Sequence, residues 1–219
     1  MASRPKQAAP RPAPRIYLIT PQITDASAFS VQLGSAINAG DVAAVLLRLA
    51  DTDERTLINH AKTLAALVQD RGAALLLDGL AELVARAGAD GAHMTGIAAF
   101  TEALAQLKPD RIAGAGGLVT RHDAMLAAER DADYVMFGEP DATGERPAFT
   151  AIEERVAWWA EVFESPCVGY AASLDDITPL VAAGADFVAL GDFLWREPHA
   201  IAATMGDVSR LLRLPEPAA

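Results

Sequence analysis

From Arg15 to Arg213 short apolar runs alternate with longer amphipathic ones. The apolar runs are RIYLIT (15–20), VAAVLLRLA (42–50), AALLLD (73–78), DGAHMT (90–95), RIAGAG (111–116), DYVMFG (133–138), CVGYAA (167–172) and DFVALG (186–191). Each is short enough for a strand and continuously apolar rather than alternating, the pattern of parallel strands buried on both faces. Their starts lie roughly 20 to 30 residues apart, room for one helix in each interval.

Helical periodicity fills those intervals. Thr56, Leu57, Leu64, Leu67 and Val68 share a face within 53–71, and Ile152, Val156, Trp159, Val162 and Phe163 share one within 150–163. Thr52 stands before an acidic turn of Asp53 and Glu54, and Ser173 before Leu174, Asp175 and Asp176 reads as a capping box with Asp as its acid. Trp158 and Trp159 are expected to pack the outer helix. Eight strand–helix units in this length predict a single (β/α)8 TIM barrel over 15–214. An open doubly wound sheet is the alternative.

An internal echo favours the barrel. AGADGAHM (87–94), RDADYVMFG (130–138) and AGADFVALG (183–191) open the fourth, sixth and eighth strands with one Ala-Asp signature. These are predicted helix-to-strand turns, with Gly88 and Gly184 at the helix C-termini.

Composition narrows the partners. The 219 residues hold 18 basic and 29 acidic side chains, a net charge of −11, which speaks against nucleic acid and anionic membranes. Hydrophobic residues are 52% of the chain, enough for a large core. Residues 1–14 are rich in Pro and Ala without an apolar stretch, and are expected to form a disordered arm; the tail PEPAA (215–219) is expected to be loose. No apolar run reaches the ~20 residues of a spanning helix, so the expected location is the cytoplasm. Cys167 is the single cysteine, which excludes an intramolecular disulfide and a multi-cysteine zinc site. The lysines are Lys6, Lys62 and Lys108, none on a candidate strand, which speaks against a Schiff-base aldolase mechanism.

In such a barrel, chemistry sits at the C-terminal ends of the strands. That rule selects Thr20, Arg48, Asp78, His93, Thr95, Gly114, Gly116, Gly117, Glu139, Tyr170, Gly191 and Asp192. Arg48 interrupts an apolar run and serves as an anion clamp, as an ion-pair partner of Asp78, or as both. Asp78 reads as a metal or substrate ligand, or as the cap of the next helix. His93 reads as a hydrogen-bonded core residue or a catalyst, and His122 as an acid/base at the mouth or an exposed residue of the fifth helix. GAGG (114–117) reads as a backbone nest for an anion, or as close packing at a strand end. The long connection EPDATGERPAF (139–149) reads as a lid or a surface excursion.

With these residues placed, the chain resembles the thiamine-phosphate synthase family and its sister group, the TenI thiazole tautomerases, over most of 15–195. RIYLIT is similar to the family's LYLVT, VLLR (45–48) to VQLR, LLLDG (75–79) to the segment ending N-D, and GADGAHM (88–94) to aDGvHL. DADYVMFGEP (131–140) resembles aDYvgfGPv, and AAGADFVALGD (182–192) the last strand. The resemblance implies the barrel fold. It also implies the coupling of hydroxymethylpyrimidine diphosphate with thiazole phosphate, with Mg2+ and release of diphosphate, or, for a tautomerase, metal-free binding of thiazole phosphate. Carried over residue by residue, Arg48 matches the arginine of VQLR, Asp78 a metal-binding aspartate and His93 a structural histidine.

Several positions depart from the family pattern. Leu46 replaces a glutamine, Ala50 a lysine, Leu77 an asparagine and Gly116 a serine. Thr95-Gly96-Ile97-Ala98 lacks the second metal aspartate, and Gly169-Tyr170-Ala171-Ala172 replaces I-G-G-I. Only Thr143 and Arg146 stand where the loop lysine motif belongs, and the eighth strand ends in Asp192, whose charge repels phosphate. Synthase activity is therefore expected to be weak or absent. The candidate roles are His122 and Arg48 in catalysis, and Asp78 as ligand of an incomplete Mg2+ site. Arg48, Thr95, Gly114, Gly116, Glu139, Tyr170 and Gly191 are the candidates for binding a phosphorylated or heteroaromatic small molecule. The alternative is a non-catalytic barrel for such a metabolite or for a protein partner, and a homo-oligomer is a further possibility.

Overall fold

The computed structural model describes residues 12–213. The expected arm thus falls, up to residue 11, outside the described residues, as does the tail. Strands and helices alternate as β1 (Arg15–Ile23), α1 (Ala26–Ala39), β2 (Val42–Leu49), α2 (Glu54–Gln69), β3 (Ala74–Asp78), α3 (Val84–Ala87), β4 (Gly91–Thr95) and α4 (Ile97–Leu107). The second half continues as β5 (Ile112–Gly116), α5 (Arg121–Glu129), β6 (Tyr134–Phe137), α6 (Phe149–Val162), β7 (Cys167–Ala171), α7 (Ile177–Ala183), β8 (Phe187–Leu190) and α8 (Ile201–Leu211). The strands form a closed barrel in sequence order, and β1 pairs parallel with both β2 and β8. This is the single (β/α)8 barrel predicted, and each expected strand is present.

Two faces of each strand explain the unbroken apolar runs. One face packs on the helices: Leu18, Val45, Leu75, Val135 and Val188 join Leu33, Leu64, Phe100 and Trp159 in the outer core. The other face fills the barrel with Tyr17, Ile19, Ala44, Leu46, Leu76, Tyr134, Met136, Val168, Tyr170 and Ala189. Because side chains alternate along a strand, the inward row Ala44–Leu46 continues to Arg48, and Leu76 to Asp78. The row through Val168 ends at Tyr170.

The helices follow their periodicity except at Val162, expected on the packed face of α6 and 59% exposed at its C-terminal end. In α2 the buried residues are Leu57, Ile58, Ala61, Leu64 and Val68. Its N-cap is Asp53 rather than the expected Thr52; the Asp53 carboxylate accepts the Thr56 N–H at 3.1 Å. In α6 Trp159 is fully buried, stacks on Phe163 at 4.1 Å and donates its indole N–H to Ser165 O at 2.7 Å. The capping box expected at Ser173 does not form, since Ser173 makes no side-chain cap bond to the short 3-10 turn Leu174–Asp176. Asp176 instead accepts the Ala172 N–H at 2.8 Å. A reciprocal box forms at Thr120 and Asp123, at the start of α5.

The Ala-Asp echo has a common geometry. Gly88 and Gly184 end their helices in the left-handed region, at φ 72° and 91°. Asp131 takes the equivalent place at φ 58°, the one non-glycine residue with positive φ among those described. The aspartate that follows each turn clasps the strand before it. Asp90 donates its N–H to Leu75 O and accepts the Leu75 N–H on its carboxylate at 2.7 Å. Asp133 does the same with Ala113 at 2.7 Å, and Asp186 with Cys167 at 2.8 Å. At the equivalent place before β2, Asp41 instead pairs with the guanidinium of Arg15 at 2.8 Å. All of these lie at the N-terminal end of the barrel, which carries stability rather than chemistry.

Candidate functional site

At the opposite end, the inward rows bring Arg48, Asp78, Gly116, Tyr170 and Gly191 to one mouth. Arg48 sits where the β1–β2 register slips, between the pairs Ile19–Leu46 and Gln22–Arg48. There the hydroxyl of Thr20 takes the place of a ladder carbonyl and accepts the Arg48 N–H at 3.0 Å. The guanidinium lies 3.6 Å from Asp78 and 4.0 Å from Asp192. The ion-pair reading of Arg48 is thus present, and two carboxylates share one cation. Asp78 is not a helix cap, because the turn after β3 starts at Leu80 without a side-chain cap bond. Burial raises the Asp78 pKa, and Arg48 offsets part of that rise.

Below the mouth runs a buried polar chain. Tyr17 and Tyr134 share a hydrogen bond of 2.8 Å, and Tyr134 shares one of 3.0 Å with His93 Nδ1. His93 is 2% exposed and stacks on Tyr134. Burial lowers its pKa to about 4, so it is neutral near pH 7. This is the hydrogen-bonded core histidine among the two readings of His93. The glycines of β5 make the chain possible. A Cβ on Gly114 would stand 2.1 Å from Tyr134 Cζ, and one on Gly116 would stand 2.1 Å from Glu139 Oε1 and 2.4 Å from His93 Nε2. Gly191 likewise leaves room for Tyr170, whose hydroxyl would stand 2.2 Å from a Cβ there.

Glu139 follows β6 and turns back across β5. Its carboxylate accepts the Gly117 N–H, so an acidic side chain of the chain itself occupies this donor of the GAGG segment. Burial raises its pKa to about 7, two backbone N–H bonds pull the other way, and Asp78 adds repulsion. Beside it lies a cavity of about 400 Å3, with Thr95, Leu118, Phe137, Glu139, Arg146 and Arg155 in its wall. The connection between β6 and α6 forms one side of it. Asp141 folds that connection on itself by accepting the N–H groups of Thr143 and Glu145 at 2.8 and 3.1 Å. Arg146 ties it down: its guanidinium lies 3.3 Å from Asp176, donates to Tyr170 O and rests 5.3 Å from the Tyr170 ring centroid. Its Nε is buried without a hydrogen-bond partner.

The mouth therefore gathers Arg48, Asp78, Tyr170 and Asp192, and the adjoining cavity Thr95, Glu139 and Arg146. His122 stands apart, exposed on the first turn of α5 beside Asp123. Arg121 covers Trp158 at 4.8 Å, a contact the sequence reading did not foresee. Among the described residues no group of three or more His, Cys, Asp or Glu stands together to hold a metal. An Mg2+ beside Asp78 would therefore need further ligands from the phosphates of a substrate. No helix among the described residues is long and apolar enough to cross a membrane.

Comparison with known proteins agrees with this architecture. The family model described as thiamine monophosphate synthase matches residues 16–193. Thiamine-phosphate synthase of Rhodospirillum centenum is 40% identical over 202 residues, covering 91% of this chain and 98% of that protein. The protein of the same name from Hyphomonas neptunium is 39% identical, covering 90% of this chain and 93% of its own length. Among solved structures, thiamine phosphate pyrophosphorylase from Pyrococcus furiosus superposes with a TM-score of 0.72 at 19% identity, covering 90% of this chain and 95% of that one.

Proposed function

The chain belongs to the thiamine monophosphate synthase family, and on that premise we propose that its mouth binds a phosphorylated heteroaromatic molecule of thiamine metabolism but performs the coupling reaction weakly or not at all. The observation behind this reading is the division of Arg48 between Asp78 and Asp192. A departing diphosphate needs cations fixed where its charge develops. Here Arg48 is paired twice, Arg146 is paired with Asp176, and Arg155 donates to Leu118 O at 2.7 Å. Asp78, Glu139, Asp141, Glu145 and Asp192 surround them. Mg2+, held by Asp78 and the substrate phosphates, would neutralise part of the leaving charge.

Ligand binding makes smaller demands. Arg48 faces the mouth at 39% exposure, and Arg146 lines the adjoining cavity. Both suit a phosphate. The ring would lie against Leu118, Phe137 and Ile152. The cytoplasm, where such metabolites are made, is the proposed location.

The test is a fluorescence assay for thiamine phosphate with both synthase substrates and Mg2+, beside a melting curve with thiazole phosphate. The expected result is product near the no-enzyme control and a melting temperature raised by thiazole phosphate, since a ligand that binds the native state stabilises it. Turnover at about 1 per second or faster, an ordinary enzyme rate, would overturn the loss of synthesis. An unshifted melting temperature would overturn the binding reading.

A further inference from the structure

We infer that Glu139 is a specificity-determining residue that meets its ligand as a neutral carboxylic acid, donating its proton in a hydrogen bond to an acceptor on a heteroaromatic ring lodged in the adjoining cavity. The inference rests on the proposed ligand class and adds what selects the ring.

Placement comes first. Glu139 stands at the end of β6, where the chain enters the connection that walls the cavity, and it lines that cavity. Its carboxylate leans into the gap left by the missing side chain of Gly116 and is held there by the Gly117 N–H. A cavity of about 400 Å3 falls within the range of pockets for small ligands. Few polar groups in such a pocket fix the orientation of what enters.

Charge comes second. Among the described residues no cation pairs with Glu139 to hold it as a carboxylate. On α6, Arg155 donates to Leu118 O. On the β6–α6 connection, Arg146 is paired with Asp176, and Asp141 and Glu145 add negative charge to the same wall. From β2 and β3 come Arg48, engaged by Asp78 and Asp192, and Asp78 itself, which repels a charged Glu139. From β4 comes His93, neutral and hydrogen-bonded to Tyr134 of β6. The group thus titrates near pH 7, half of it protonated there. A ring entering the cavity would displace water and favour the neutral form further.

A neutral acid donates where a carboxylate can only accept. It therefore favours a ring bearing an in-plane nitrogen or carbonyl acceptor, as a thiazole does, over a ring that offers only donors. Arg146, its side chain 23% exposed, lies in the same wall to receive an anionic tail.

The experiment is titration calorimetry of thiazole phosphate on the full chain and on Glu139→Gln, from about pH 5.5 to about pH 8.5. Glutamine keeps a neutral donor at every pH. The ratio of the two affinities cancels the ionisation of the phosphate itself, whose second pKa is about 6. The expected ratio is near one at the acid end, with the variant about tenfold or more tighter at the alkaline end, because each pH unit above the pKa of Glu139 costs about a factor of ten. A ratio constant across the range would overturn the inference while leaving the ligand class standing. If the unaltered protein gives no heat at any pH, the ligand class falls, and infrared titration of the ligand-free protein decides the state of Glu139. A protonated-carboxyl band that is absent in Glu139→Gln and vanishes near neutral pH supports the neutral donor. A band that vanishes in the ordinary range, about pH 4, overturns it.

Discussion

Thr20 and Arg48 are joined by a single hydrogen bond, from the arginine's backbone N–H to the buried threonine hydroxyl, at 3.0 Å. The bond spans the slip between β1 and β2 and so fixes where the guanidinium enters the mouth. Replacing Thr20 by Val keeps the shape and leaves the N–H without its acceptor. Thr20→Val is expected to lose about 1–3 kcal/mol of stability, read by urea unfolding, and to weaken phosphate binding. Thr20→Ser is expected to restore most of both.

Asp192 competes for Arg48 from a position 66% exposed to solvent, where an ion pair of this kind is weak. Releasing it frees the guanidinium at little structural cost. Asp192→Asn is expected to bind thiazole phosphate up to about fivefold tighter, the equivalent of about 1 kcal/mol. Arg48→Ala is expected to weaken binding strongly. Calorimetry on folded variants checks both, and equal affinities in all three proteins would contradict the role of Arg48.

Gly116 leaves no room for a methyl group between Glu139 and His93. Gly116→Ala is expected to cost about 1–3 kcal/mol, as overpacked sites do, and to push Glu139 off the Gly117 N–H. Thermal unfolding gives the first effect. The second appears as loss of the pH-dependent binding ratio proposed for Glu139.

Buried His93 and partly buried Glu139 act on stability in opposite directions. His93 has a folded pKa near 4 against an ordinary 6.5. Its contribution is present above pH 6.5 and is lost as pH falls toward 4. Glu139 has a folded pKa near 7 against 4.5. Its contribution is present below pH 4.5 and is lost as pH rises through 7. Each spans at most about 3 kcal/mol, so the two largely cancel between pH 4.5 and 6.5. Glu139→Gln is expected to uncover the histidine: chemical denaturation should show stability rising with pH across that window. A variant with the same flat profile as the unaltered protein would contradict the assignment.

The barrel could be read from the sequence because its strands are buried on both faces and its helix-to-strand turns repeat a local signal. Arg48 and Asp78 were legible as charges ending apolar runs. The partners that define their behaviour were less so. Tyr17, His93 and Tyr134 lie on three strands far apart in sequence, and only the inward register of a closed barrel brings them into one hydrogen-bonded chain. Glu139 sits in a polar loop segment beside Pro140 and Asp141, and nothing local marks it as turned inward; the Gly116 gap that receives it is contributed by another strand. The reciprocal cap at Thr120 was within reach, since Thr120-Arg121-His122-Asp123 has the spacing of a capping box. That reading also explains His122 as a residue of an exposed first turn. The box read at Ser173 failed because Asp176 is engaged by Ala172 and Arg146 instead.

The aspartate clasps have a consequence for how the ring comes apart. Asp90, Asp133 and Asp186 each bind an even-numbered strand to the odd-numbered one before it, by bonds that run both ways to one residue. The Arg15–Asp41 pair fastens the remaining couple. The clasps thus couple the strands in four pairs, beside the ladder that joins every neighbour around the ring. A chain divided in the turn between α4 and β5 would leave every clasp intact and separate two halves of two pairs each. A chain divided between α3 and β4 would part Asp90 from Leu75, so the two fragment pairs should differ in how readily they reassemble.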